Sequence, residues 1–202
     1  MNKNDPRVIK TLRQIDASLL SNIAAHPFRE ITIAMLCSGA LVNKTTFYKY
    51  YTDKYDCLNR YLDRTLAEFR AQLKVDFVLA APEKIDDPVY QRSFQRVAEF
   101  MYERRREYLT LWHAEIGRPF YNEMCDTLYE AILSAAAGEG GASGKDWANI
   151  VLYSRLFSVH TMALFHWWFD FEDTVGLQDV LRLMTGNMAY GLFKTFKKKS
   201  EG

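Results

Sequence analysis

Apolar residues recur at three- and four-residue steps along almost the whole chain. Val8, Ile9, Leu12, Ile15, Leu19, Leu20 and Ile23 form one stripe on a first helix. That helix should end at His26, because the residue before Pro27 is pushed out of helical geometry. Thr32 predicts the cap of a short second helix, Ile33–Gly39, its hydroxyl accepting from free backbone N–H groups. Asn43 predicts the cap of a third, Lys44–Tyr51, and Thr52-Asp53 opens a fourth over Lys54–Ala80, carrying Leu58, Leu62, Leu66, Phe69 and Leu73. Residues 82–88, bounded by two prolines, read as a linker. Helical spacing resumes over Val89–Arg105 and Glu107–Glu115, breaks at Gly117-Arg-Pro119, and returns over Phe120–Ala137. A glycine-rich loop at 138–144 precedes two last helices, Lys145–Phe171 and Gly176–Lys198. No strand alternation and no internal repeat is visible. The expected fold is all-α with about nine helices.

The third predicted helix is two-sided. Phe47 and Tyr51 share one face with Tyr50 beside them, while Thr45, Tyr48 and Lys49 lie opposite. Outward hydroxyls and an ammonium on an aromatic base suit a helix lying in the DNA major groove, reaching phosphates and base edges. Lys54 starts the fourth helix, where free N–H groups favour a phosphate. The same spacing would equally serve the solvated face of an ordinary helical bundle.

Charge tips the balance slightly. Residues 1–70 hold eleven Lys/Arg against seven Asp/Glu, and residues 71–202 hold fifteen against eighteen. A basic first third on a mildly acidic body is compatible with one nucleic-acid-facing module. The composition, 49% apolar and 25% charged, is that of a globular protein. The first twenty residues carry no apolar core or cleavage site, so no signal peptide is expected. The longest apolar region, Phe157–Phe171, is broken by Ser158, His160, Thr161, His166 and Asp170, short of the roughly 18 residues a membrane span needs. Cys37, Cys57 and Cys125 match neither a disulfide framework nor a metal site and read as reduced thiols of a cytoplasmic protein.

Enzymatic readings find little support. His113-Ala-Glu115 lacks the Pro-Cys-x-x-Cys that would complete a zinc deaminase site. His160 and His166, six apart, point in different directions on a helix. No Glu-x-x-His pair and no nucleophile–base motif appears, so no metal, cofactor or enzyme activity is expected. The Lys194, Lys197, Lys198, Lys199 tail reads as a solvated helix end favouring the C-terminal dipole.

The run Ile31–Leu58 resembles the N-terminal helix-turn-helix of TetR-family transcription regulators. Its most specific part, Thr46-Phe-Tyr-Lys-Tyr-Tyr-Thr-Asp-Lys54, is similar to the family's Thr-Leu-Tyr-x-Tyr-Phe-x-x-Lys signature. The resemblance implies a three-helix helix-turn-helix domain over residues 1–65 followed by a larger helical domain over 66–202, in a homodimeric, sequence-specific regulator that binds a double-stranded DNA operator. Thr32 falls on the family's capping threonine that touches a phosphate. Thr46, Tyr48 and Lys54 fall on usual DNA-contacting positions, Lys44, Thr45 and Lys49 on sequence-reading ones, and Asn43 caps the same helix. One departure is Leu41, where the family usually has a turn glycine; Gly39, two residues earlier, is expected to take over the tight turn.

The family resemblance also implies a larger domain for effector binding and dimerisation. Phe94, Tyr102, Tyr108, Trp112, Met124 and Tyr129 are the candidate lining of a small-molecule pocket. In the family the last two long helices pair with their copies in a second subunit. Leu156, Val159, Ala163 and Trp167 follow that spacing, as do Leu181, Met184, Met188 and Leu192, beside an aromatic cluster of the kind enriched at interfaces. His166-Trp-Trp-Phe169 and the Gly191-Leu-Phe-Lys helix end look like the branch containing DhaS-type activators of dihydroxyacetone-kinase genes, which points instead to a protein co-regulator. The competing reading is a helical adaptor without an effector pocket of its own, which the salt dependence of binding would separate from a DNA binder.

Overall fold

A computed structural model describes residues 5–75, 88–137 and 144–200. Among them the chain forms nine α-helices and no strand, as the periodicity predicts. It divides into two compact units. One comprises residues through Ala67 together with Arg106–Tyr121; the other comprises Glu68–Arg105 and the residues from Asn122 onward. The sequence suggests two contiguous pieces, and no local signal announces that 106–121 packs with the first.

In the first unit, α1 (Pro6–Ala25) opens with Pro6 in its first turn and the Asp5 carboxylate accepting from the Arg7 N–H at 2.9 Å. It ends at His26, in extended geometry before Pro27. Its stripe is real but narrower than predicted: Ile15, Leu19 and Ile23 are buried, while Ile9 at the margin is exposed. After a 3-10 turn, Phe28–Glu30, comes α2 (Ile33–Ala40), which packs on α1. The next helix, α3 (Lys44–Tyr48), stops three residues before the predicted end. There the bonds tighten to three-residue steps, Lys49 N–H to the Thr46 carbonyl and Tyr50 N–H to that of Phe47. The fourth, α4 (Lys54–Gln72), also ends early, with Leu73 N–H reaching back three residues to the Arg70 carbonyl at 3.2 Å. Residues 73–75 are not helical, and the predicted continuation over 76–80 lies outside the described residues, as do the linker over 82–87 and the glycine-rich loop over 138–143. The short α6 (Arg105–His113) and the segment after it are tied to α4. The Tyr61 hydroxyl donates to Glu107, and Arg118 pairs with Asp63 at 2.8 Å.

The second unit is built on α5 (Pro88–Glu103), α7 (Phe120–Ala137, joining from Asn122), α8 (Gly144–Asp170) and α9 (Leu177–Ser200). α5 packs on both α8 and α9. Flat ring pairs link α5 to α8: Tyr102 stacks on Trp168 at 4.7 Å and Phe94 on Phe165 at 6.0 Å. The Trp168 indole N–H is satisfied by the Val175 carbonyl at 2.9 Å, so this large ring sits fully buried without an orphan donor. The last helix is not continuous: Gly191 has φ 79° and interrupts it.

Candidate nucleic-acid interface

The helix-turn-helix is assembled from local caps. The Thr32 hydroxyl accepts from the Met35 N–H at 3.2 Å, and the Asn43 side chain accepts from the Thr46 N–H at 2.7 Å. Each satisfies an N–H that the first helical turn leaves unpaired. Between them Leu41 adopts the left-handed conformation, φ 54°, and Val42 N–H closes back on the Cys37 carbonyl at 3.0 Å. That bond, spanning six residues, is a Schellman termination.

The turn is therefore made by Leu41 itself, and the expectation that Gly39 would supply it is wrong. Gly39 is an ordinary helical residue of α2. It is glycine because α1 passes close by: a Cβ there would lie 2.3 Å from the Ser18 Oγ. Leu41 is 86% exposed, so its side chain gains nothing by packing to offset the left-handed backbone. Leu41→Gly is thus expected to raise the unfolding free energy by about 1 kcal/mol, read from denaturant midpoints.

On α3 the predicted division of faces is present. Phe47 and Tyr51 are buried; Lys44, Thr45, Tyr48 and Lys49 are exposed; Thr46 is half-buried behind them. Tyr48 stands edge-on against Phe47, their centroids 5.8 Å apart, which fixes the base of an exposed ring. Burial pushes the Tyr51 hydroxyl well above its ordinary range, and lifts the Cys57 thiol beneath it to about 12. Both groups are neutral and buried. At the head of α4, Asp53 accepts from the Asp56 N–H at 2.8 Å while Asp56 accepts from the Thr52 N–H at 2.9 Å and from Arg60 at 2.7 Å. The Thr52 N–H, more than any other group, holds the Asp56 carboxyl below its usual value.

Lys54 does not project with the others. Its ammonium donates to the carbonyls of Phe28, Arg29 and Ile31 at 2.9, 2.9 and 2.8 Å, which uses all three of its donors. It also lies 5.0 and 5.4 Å from the ring centroids of Phe28 and Tyr55. In this arrangement all three donors are turned to backbone carbonyls, where the sequence suggests a phosphate contact.

The candidate effector residues fall in both units. Tyr108 and Trp112 belong to the first unit; Phe94, Tyr102, Met124 and Tyr129 to the second. Met124 is fully buried, Phe94 covers Phe165, and Tyr129 lies under the Arg155 guanidinium at 3.8 Å. Tyr102 lines a concavity of about 530 Å³ with Trp168, Glu99, Glu103, Glu172 and Asp173.

Of the candidate dimer residues, Leu156, Val159 and Ala163 are exposed on α8 and Trp167 is half-buried. On α9, Leu181 and Met188 are half-buried. Met184 is 1% exposed, packed inside its own chain and so unavailable to a partner, and the Leu192 side chain lies outside the described residues, as do those of the lysine tail. His160 meets the Asn187 side chain at 2.8 Å and His166 meets Asp170 at 3.0 Å, so the two histidines serve separate partners. Burial lowers the pKa of His160.

These observations define an all-helical chain of two units whose first unit presents a helix-turn-helix. Solved structures share this fold. The fatty acid degradation regulator FadR of Bacillus halodurans superposes with a TM-score of 0.61 at 13% identity, covering 90% of this chain and 96% of its own. A Clostridium perfringens protein assigned to the regulation of fatty acid metabolism gives 0.59 at 17% identity, covering 89% and 98%. The transcriptional regulator FadR of Bacillus subtilis, solved with stearoyl-CoA, gives 0.53 at 16% identity, again covering 89% and 98%. At these identities the likeness establishes the fold. No family model and no curated sequence matches the chain.

Proposed function

We propose that this chain is a sequence-specific DNA-binding transcription regulator of the TetR kind. It works as a homodimer whose DNA affinity is set by an effector or partner bound to the second unit. The observation that carries the reading is the outward face of α3, where Lys44, Thr45, Tyr48 and Lys49 stand exposed on a helix anchored by the buried Phe47. A face of hydroxyls and ammonium groups on a rigid, capped helix is the chemistry that reads a major groove. The fold shared with transcription regulators supports it, and the Bacillus subtilis protein's complex with stearoyl-CoA makes a ligand-responsive body reasonable here.

Dimerisation is supported by α8. Leu152, Leu156, Val159 and Ala163 stand exposed at steps of four, three and four, forming one unpartnered apolar stripe. Coupling would run along the chain itself. It leaves the second unit at Arg105, and Glu107 two residues later accepts from Tyr61 on α4. A ligand that shifts α5 would thereby shift α4, provided it binds the two states with different affinity.

Fluorescence anisotropy with a labelled duplex from the region upstream of its own gene tests the reading. Tyr48→Ala and Lys49→Ala should each weaken specific binding by about tenfold or more, the worth of one good base contact, with fold and dimer intact. A folded wild-type protein that binds no such duplex at low salt would overturn the assignment.

A further inference from the structure

We infer that Lys54 is a positioning residue of the helix-turn-helix, a clamp that fixes the α1–α2 connection on the first turn of α4, and makes no phosphate contact through its side chain. Its three N–H donors converge on carbonyls 28, 29 and 31, at 2.9, 2.9 and 2.8 Å. Phe28 and Ile31, which carry two of those carbonyls, are themselves buried at 4% and 1% exposure. The ammonium thus gathers three carbonyls where the 3-10 turn ends, that of Phe28 accepting the Ile31 N–H at 3.2 Å as well. The rings of Phe28 and Tyr55 flank the same charge.

The position of this clamp gives it a consequence for recognition. Ile31 immediately precedes Thr32, the cap of α2, so holding the Ile31 carbonyl fixes where α2 begins. The same lysine is the first residue of α4, directly after the turn that follows α3. One side chain therefore ties the entry of α2 to the exit of α3, and loss of the tie lets the two helices shift while each stays helical.

The DNA half of the test rests on the proposed function; the stability half does not. Lys54→Met keeps the apolar stem and removes the donors. Its unfolding midpoint without DNA should fall by about 5 °C or more. Well below that midpoint, binding to the upstream duplex should weaken about tenfold, the worth of one misplaced base contact. Binding to a random-sequence duplex should hold, and the salt slope of log affinity should be unchanged. A phosphate contact predicts the opposite pattern: an unchanged midpoint and a slope smaller by about 0.9. Either of those two results overturns the clamp. A Lys54→Met protein that fails to fold supports it, because a side chain used only for phosphate costs the free protein nothing. Lys54→Gln, which keeps two donors, should then fold with an intermediate midpoint, and a wild-type midpoint there would overturn the clamp as well. If the wild-type protein binds no DNA, the midpoints alone decide.

Discussion

Alanine at position 39 is expected to lower the unfolding free energy by about 1 kcal/mol, although alanine is the better helix former. Gly39 lies within α2, where propensity alone would favour alanine by about 1 kcal/mol. Against this stands a contact that cannot be accommodated in place. The new Cβ would sit 2.3 Å from the Ser18 Oγ and 3.2 Å from the Ser18 Cβ. The Ser18 hydroxyl is buried and donates to the Leu36 carbonyl at 2.9 Å across the α1–α2 contact. Turning it away forfeits that bond, and leaving it in place forces the helices apart; either costs about 1–3 kcal/mol. Chemical denaturation reads the sign directly. Ser18→Ala combined with Gly39→Ala should be less destabilised than the sum of the single changes by about 1 kcal/mol, because the clashing atom is gone. A Gly39→Ala protein as stable as the wild type would refute the close-approach explanation.

Aspartate at both Leu156 and Val159 is expected to convert the protein to a monomer and to weaken operator binding by at least about 100-fold. Leu156 is 54% exposed and Val159 48% exposed in the single chain, so carboxylates there remain hydrated and the chain should fold. Buried against a second copy, the same carboxylates would be stripped of water with no cation to pair them, a cost of several kcal/mol per group. The loss on DNA follows from linkage: a dimer holds its second reading head near its half-site, and a monomer does not. Sedimentation and anisotropy on the same samples check the two halves. A wild-type protein that is monomeric at micromolar concentration, or a double variant that remains dimeric, would remove α8 as the interface.

The helices themselves were legible because their causes are local. A stripe every three or four residues, an Asp, Thr or Asn cap, and a proline after His26 act within one turn of where they stand. The caps at Thr32 and Asn43 are in place for that reason. So is the sorting of α3 into a buried Phe47 and an exposed Tyr48.

What the sequence by itself determined is thus the set of helices and the side of α3 that faces outward. Only the tertiary structure decided what joins them, because those contacts link residues far apart in the chain. Ser18 meets Leu36, Lys54 meets Phe28, and Tyr61 meets Glu107, separated by 18, 26 and 46 residues. The first fixes Gly39 and hands the turn to Leu41; the second holds Lys54, which the sequence suggests as a phosphate ligand, on carbonyls of its own chain. The third draws residues 106–121 into the first unit. Met184 belongs with these: its spacing suits an interface, but which side of α9 its own chain covers is settled by packing against the rest of the second unit. Periodicity shows that a face is apolar and says nothing of what covers it.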